Sequence, residues 1–239
     1  NCMVRRLKSQ VMSELPPIQR TPVYLDLDNR REYDAAEQDV SAAAAKLAAE
    51  DKRFRASIAG LPKEEQVETI SRHAQDAAYK AMLAETLVRI NVLRRLAAKG
   101  KMTAIKDWLS DFLEGGEKVL VFGWHRDMVE GLAAALDAPY IEGGMANKRR
   151  QAIVDGFQAG KGQVVVMNML AAGEGLTLTQ ASHCAFVELP WNLNGVIQAE
   201  GRCYGRINDP HGINSWLLLA KDSIDEYMWE IIERKAAVT

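Results

Sequence analysis

KVLVFG (118–123) carries consecutive apolar side chains, so both faces of an extended chain would be apolar, and an amphipathic stretch at 126–137 follows it. A strand of that kind must be covered by helices on both sides. The same texture returns in QVVVMN (163–168), HCAFVE (183–188) and SWLLLA (215–220), with helical stretches at 147–158, about 193–205 and 223–237. Strands alternating with helices of this length predict an α/β fold: a parallel, doubly wound sheet with helices on both faces. In such a sheet ligands gather at the carboxyl ends of the strands.

Upstream, RRLKSQVMSELPPIQRTPVYLDL (5–27) is basic, then broken by Pro16 and Pro17, then alternates Val23, Leu25 and Leu27 in the period-two pattern of a short strand. Residues 1–28 therefore read as a linker running into an edge strand. From Asn29 to about Lys99 the sequence is rich in Ala, Glu and Arg, with few β-branched runs and a break at Gly60-Leu61-Pro62. That texture predicts two long helices joined by a tight turn, a helical insertion over 29–100 ahead of an α/β domain over 101–239. The alanine run at 42–45 suits a helix and needs no further function.

Thirty Lys+Arg against 32 Asp+Glu give a net charge of −2, and 48% of the 239 residues are apolar. Collagen-like, disordered and disulfide-scaffold classes are excluded, and any nucleic-acid surface must be a local patch. Apolar stretches such as VVVMNMLAA (164–172) fall far short of the roughly 20 residues that cross a bilayer, and no signal segment opens the chain. A soluble, intracellular protein is expected. Cys2, Cys184 and Cys203 form no CxxC pair, so neither a zinc ribbon nor a disulfide framework is supported. The opening Asn1-Cys2 suggests a piece of something longer.

No GxxxxGK[ST] phosphate loop occurs, and Lys161 sits in AGKGQ without a following Ser or Thr. Nothing supplies both an amide cradle for phosphates and a hydroxyl for magnesium, so a self-sufficient ATPase core is not expected. HExxH and GxSxG are absent too, and His73, His125, His183 and His211 lack ligand spacing, which favours structural or surface roles and no metal site. Three segments at strand ends stand out. In AAGEGLTLTQASH, Gly173 and Gly175 follow the strand at 163–168, where backbone must approach a ligand closely. In LPWN, Trp191 follows the strand at 183–188. In QAEGRCYGR, at roughly 100° per residue, Gln198, Arg202 and Arg206 fall within roughly 80° of arc on a predicted helix. Arginine forks suit capture of phosphate oxygens and of charge building on a transferring phosphoryl group. The bland alternative is a solvated face paired with Glu200 or Asp209.

The order of these segments resembles the second RecA-like domain of Swi/Snf-like superfamily-two ATPases, double-stranded nucleic-acid translocases often labelled helicases. RRLKSQVMSELPP resembles that family's bridge into its second domain and GEKVLVFGWHRDMVEGL its fourth motif. IEGGMANKRRQAIVDGF is similar to the next block, with Gly143, Arg150 and Phe157 in register. AAGEGLTLTQASHCAFVELPWN resembles the fifth motif and QAEGRCYGR the sixth. QAEGR and the short insertions look most like the compact annealing-translocase group of bacteria, phages and eukaryotic fork-remodelling enzymes.

The resemblance implies that ATP and Mg²⁺ sit between two RecA-like domains, held mainly by a first domain with the phosphate loop and DExH carboxylates. This chain matches the second, and is expected to be inactive and to hold no cofactor alone. Gly173 and Gly175 would lie near the nucleotide. Arg202 and Arg206 would reach across as fingers, with Gln198 beside them. Duplex DNA phosphates would be held, without sequence preference, around Gly143 and Gly144, by Arg150, by the loop at 168–171 and near Trp191. The family places its second arginine three residues after the first, whereas here Gly205 holds that position and Arg206 follows. Either the helix ends at Gly205 and a turn restores the geometry, or Arg202 alone is the finger. Leu170 replaces a common phosphate-binding Thr or Ser, a contact Asn168 could make instead. The implied setting is the cytoplasm of a bacterial or phage-infected cell, with double-stranded DNA and a first RecA-like domain as partners and no membrane. The competing reading is a degenerate RecA-like domain that serves as a nucleic-acid or protein interaction module.

Overall fold

Alternation within continuously apolar strands divides the core in two. In the computed structural model, which describes residues 18–171, 176–203 and 212–236, strand β2 (Val119–Gly123) is buried at every position. Its Leu120 and Phe122 enter one apolar cluster, and Val119 and Val121 the other. Strand β4 (Val164–Asn168) divides in the same way, with Val165 and Met167 in the first cluster and Val164 and Val166 in the second. The period of two thus survives where polarity does not reveal it.

The described strands form one six-stranded sheet in the order β1-β6-β5-β2-β4-β3, with every pairing parallel. The remaining strands are β1 (Ile18–Leu25), β3 (Tyr140–Ile141), β5 (His183–Phe186) and β6 (Ile213–Ala220). Five helices cover the sheet: α4 (Met102–Glu114), α5 (Arg126–Ala135), α6 (Asn147–Gln158), α7 (Leu193–Glu200) and α8 (Ile224–Ala236). Val154 and Phe157 of α6, Val196 and Ala199 of α7, and Met228, Trp229 and Ile232 of α8 fill the first cluster. Ile105 and Leu109 of α4 and Met128, Val129 and Leu132 of α5 fill the second. Each such side chain contributes about 1.5–3 kcal/mol on leaving water, so this burial is the main term favouring the sandwich. The fold is doubly wound, as the sequence predicts. Strands β3 and β4 lie on one side of β2, and β5 and β6 on the other, so the winding reverses at β2. The loops leaving β2, β4 and β5 consequently meet at the carboxyl edge.

Contacts divide the chain into two units, Asn1–Asp28 with Ala98–Thr239, and Asn29–Ala97. The second is helical, but the two long helices expected there are three: α1 (Arg30–Ile58), α2 (Lys63–Gln75) and α3 (Ala77–Gly100), the last running into the first unit. The extra break falls at Asp76, whose carboxylate accepts the N–H groups of Ala78 (2.9 Å) and Tyr79 (3.0 Å) and so caps α3. Arg89 of α3 joins α1 through Asp39 at 2.8 Å. The helix expected over about 193–205 is also shorter: α7 ends at Glu200, and three-residue bonds from Arg202 N–H to Ala199 and from Cys203 N–H to Glu200 carry a tighter turn onward. Among the described residues, no helix is long and apolar enough to cross a membrane.

Candidate phosphate and nucleic-acid site

Three loops at the carboxyl edge are stitched to one another by buried polar side chains. Glu188, just past β5, accepts the backbone N–H groups of Trp124 (2.7 Å) and His125 (2.8 Å), and its other oxygen pairs with His125 Nδ1. The approach demands Gly123: a Cβ there would stand 2.9 Å from a Val129 methyl and 3.5 Å from Glu188 Oε2. Asn168 performs the same task for β4. Its Nδ2 donates to Trp124 O (2.9 Å), and its Oδ1 accepts Leu170 N–H (3.0 Å). Met169 N–H reaches Gly123 O at 2.8 Å.

Between the stitched loops lies an open cavity of about 320 Å³. Trp124, Met169 and Leu170 line it from the exits of β2 and β4, Pro190 and Asn192 from the exit of β5, and Asn194, Gly195 and Gln198 from the first turns of α7. Asn192 caps α7 by accepting Gly195 N–H at 2.9 Å. Leu170 and Trp191 are exposed, 69% and 41%, unusual for side chains of that size. The pocket joins large apolar walls to the amides of Asn192, Asn194 and Gln198, a lining that offers both packing surface and hydrogen bonds.

Arg202 stands one turn beyond Gln198, half-buried in the turn that follows α7. One guanidinium nitrogen donates to Leu176 O at 3.2 Å. Its Nε is buried and, among the described residues, has no partner. Burial lowers the guanidinium pKa from its ordinary value, although an arginine stays charged at neutral pH. A buried cationic donor left open is costly, and an anion is the ligand that would offset it. The solvated pairing with Glu200 is excluded, because both Glu200 oxygens are taken by Arg20 at 2.7 and 2.8 Å in a wholly buried position. Gly173, Gly175, Arg206 and Asp209 lie outside the described residues.

A second constellation sits at the exit of β3. Gly143 and Gly144 are exposed, and Gly144 has φ +79°, a conformation that suits glycine. They lead into α6, whose N-cap Ala146 supplies no side-chain bond and whose first turn holds no acid. Instead Lys148, Arg149 and Arg150 follow, the charge that a helix N-terminus disfavours unless an anion is nearby. Arg150 donates to Asn147 Oδ1, and Arg149 lies over the Tyr140 ring.

The sequence-predicted residues thus fall into two groups. Gln198, the Asn168-braced loop and the neighbours of Trp191 surround one pocket, and Gly143, Gly144 and Arg150 share the β3–α6 loop. Asn168 itself is buried and bonds backbone at both ends of its amide, which makes it a brace of the loop. Sequence reasoning missed Glu188, His125 and Arg20. The first had a signal, an acid ending an apolar strand in HCAFVELPWN.

Residues 100–208 match the family described as helicase conserved C-terminal domain. The chain is 31% identical, over 99% of its length, to the Xenopus tropicalis SWI/SNF-related matrix-associated actin-dependent regulator of chromatin subfamily A-like protein 1. It is also 31% identical over 99% of its length to the human DNA annealing helicase and endonuclease ZRANB3. It spans only about a fifth of these curated relatives, 22% and 20% respectively. Among solved structures it resembles the C-terminal part of the Fun30 ATPase domain, with TM-score 0.59 and 18% identity over 91% of this chain and 89% of that one. It also resembles the Sulfolobus solfataricus SWI2/SNF2 ATPase C-terminal domain, with TM-score 0.54 and 19% identity over 92% and 87%. The stitched loops, the parallel order and these likenesses coincide: residues 100–208 match the helicase conserved C-terminal domain, the chain as a whole is similar to SWI/SNF-related proteins, and its fold is that of their RecA-like ATPase C-terminal domains.

Proposed function

We propose that this chain is the C-terminal motor half of an ATP-dependent, helicase-like translocase on double-stranded DNA, with Arg202 as a finger toward the nucleotide. In this reading residues 1–28 are the inter-domain linker and edge strand, 29–100 a helical insertion, and 101–239 the motor domain. The observation that carries it is the half-buried Arg202 guanidinium, held by Leu176 O on one nitrogen and open at Nε among the described residues. Such a group fits a phosphate. Bound ATP with Mg²⁺ would supply the transferring phosphoryl group, held mainly by a first RecA-like domain. Arg202 would then neutralise charge that grows during transfer, with Gln198 and Arg206 beside it and Gly173 and Gly175 allowing close backbone approach. The exposed Gly143-Gly144 loop, Arg150, the Asn168-braced loop and Trp191 would take duplex phosphates and track without reading sequence. The likeness to the human DNA annealing helicase and endonuclease ZRANB3 supports the choice of DNA. We place the chain in the compact annealing-translocase group and in the cytoplasm of a bacterial or phage-infected cell, although the curated relatives named above are animal proteins.

The test is Arg202→Ala in the full-length enzyme, with folding and DNA affinity as controls. DNA-stimulated ATP hydrolysis should fall by about 10³–10⁵ while ATP affinity is largely kept. Arg206→Ala made alongside decides between two fingers and one. Full turnover in Arg202→Ala would overturn the motor reading and leave an interaction module.

A further inference from the structure

We propose that Arg20 and Glu200 form a strut that positions Arg202, so that the place of the edge strand β1 sets the place of the finger. The inference rests on the reading of Arg202 given above. Glu200 is the last residue of α7 and wholly buried, and Arg20 of β1 binds it with a two-pronged fork, Nε to Oε1 at 2.7 Å and a terminal nitrogen to Oε2 at 2.8 Å. A fork fixes orientation as well as distance. The hydrogen bond to Glu200 raises the Arg20 pKa.

From Glu200 the restraint passes two residues along the chain. Arg202 N–H bonds Ala199 O at 3.0 Å, and Cys203 N–H bonds Glu200 O at 3.1 Å, so the turn carrying Arg202 is built on the very residues that Arg20 fixes. On its far side, Arg202 O accepts Leu178 N–H at 3.1 Å, and the guanidinium bonds Leu176 O. Arg202 is therefore held between two clamps, one ending on β1 and one on the segment that follows residues 172–175. Among the described residues, strand β1 pairs only with β6 and is the outermost strand at its edge of the sheet. A displacement of β1 therefore reaches Arg202 through this ion pair. Arg20 and Glu200 are positioning residues, and neither lines the pocket beside Gln198.

The experiment uses Arg20→Lys, which keeps the charge and loses the fork, and Glu200→Gln, which keeps the shape. In this chain, the Arg202 Nε–H resonance, assigned by its loss in Arg202→Ala, should shift in both variants. It should stay in place in Arg126→Lys, whose Glu130 and Glu142 partners are on the surface. In the full-length enzyme, each variant should lose about ten- to a hundredfold in DNA-stimulated kcat, with KM for ATP and duplex affinity within about twofold of wild type. On an Arg202→Ala background neither should reduce turnover further, because both act through that residue. A fixed resonance, or wild-type kcat in either folded variant, overturns the strut. Where Arg20→Lys does not fold, Glu200→Gln decides. If Arg202→Ala itself turns over normally, the motor reading fails, and the resonance alone then decides the strut.

Discussion

Arg150 and Asn168 were both expected to hold phosphates, yet their surroundings give them different work. Asn168 is buried with donor and acceptor both engaged, so its effect on a ligand passes through the loop it braces. Arg150 is only half-buried and sits in the first turn of α6, beside exposed glycines and an N-terminus without a side-chain cap. If a duplex phosphate lies there, neutralising it releases condensed counterions, and the salt dependence of binding measures how many contacts exist. Arg150→Ala should lower duplex affinity of this chain equally for unrelated sequences and reduce the slope of log affinity against log salt by about 1. Filter-binding or anisotropy titrations over a salt series read both quantities. An affinity loss confined to one sequence, or an unchanged slope, would remove Arg150 from the phosphate contacts.

At the scale of elements, one buried ion pair pins three of them. Lys101, at the junction of α3 and α4, is 1% exposed and donates to Leu218 O of β6 (2.6 Å) and to Asp225 of α8 (2.5 Å). Asp225 also accepts Ala220 N–H at 3.0 Å. Removing one partner of such a pair strands the other charge, a loss of about 3–5 kcal/mol. Lys101→Met should therefore lower Tm by on the order of 10 °C, whereas an exposed pair such as Arg72 with Glu68 should barely register when broken. Calorimetry of the two variants separates these cases. The elements also show where sequence reading succeeds. Strands β2, β4, β5 and β6 were legible because they carry continuous apolar runs, β1 because it alternates, and α6 because a helical period runs from Asn147 to Gln158. Strand β3 spans two residues, too few for any period to show. Helix α4 did carry a signal, Ile105, Leu109 and Phe112 at helical spacing, and it starts directly after Gly100 and Lys101 without a polar break. The break at Asp76 was a capping residue inside otherwise helical sequence. At the site, the sequence offered the glycine and arginine segments only as types of chemistry, and Gly173, Gly175 and Arg206 lie outside the described residues. The fork from Arg20 to Glu200 was not legible, since the partners are 180 residues apart and a lone charge on a strand says nothing of its mate.

For the whole molecule, the sequence contains no phosphate loop, and the chain covers about a fifth of its curated relatives. Purified alone, it should release no phosphate from ATP above background, with or without duplex DNA, in a steady-state assay. Robust turnover would mean that this chain holds a complete ATP site and would overturn the division of labour between two domains. The sheet order has a further consequence, in the time domain. Strand β1 is the first described strand of the chain, and its neighbour in the sheet is the last, β6. At about 5–20 residues per second, a ribosome needs on the order of ten to forty seconds to travel the 180 residues from Arg20 to Glu200, and longer to complete β6. Through that interval the nascent β1 has no strand to pair with, and Arg20 has no carboxylate. Pro22, which offers no N–H to a neighbouring strand, and the charge of Arg20 make the waiting strand a poor template for pairing with other chains. Arg20, the residue proposed to brace Arg202, would thus begin as a guard against misassembly, and Arg20→Val would be expected to exact its toll during synthesis, before any finished sheet exists to be weakened.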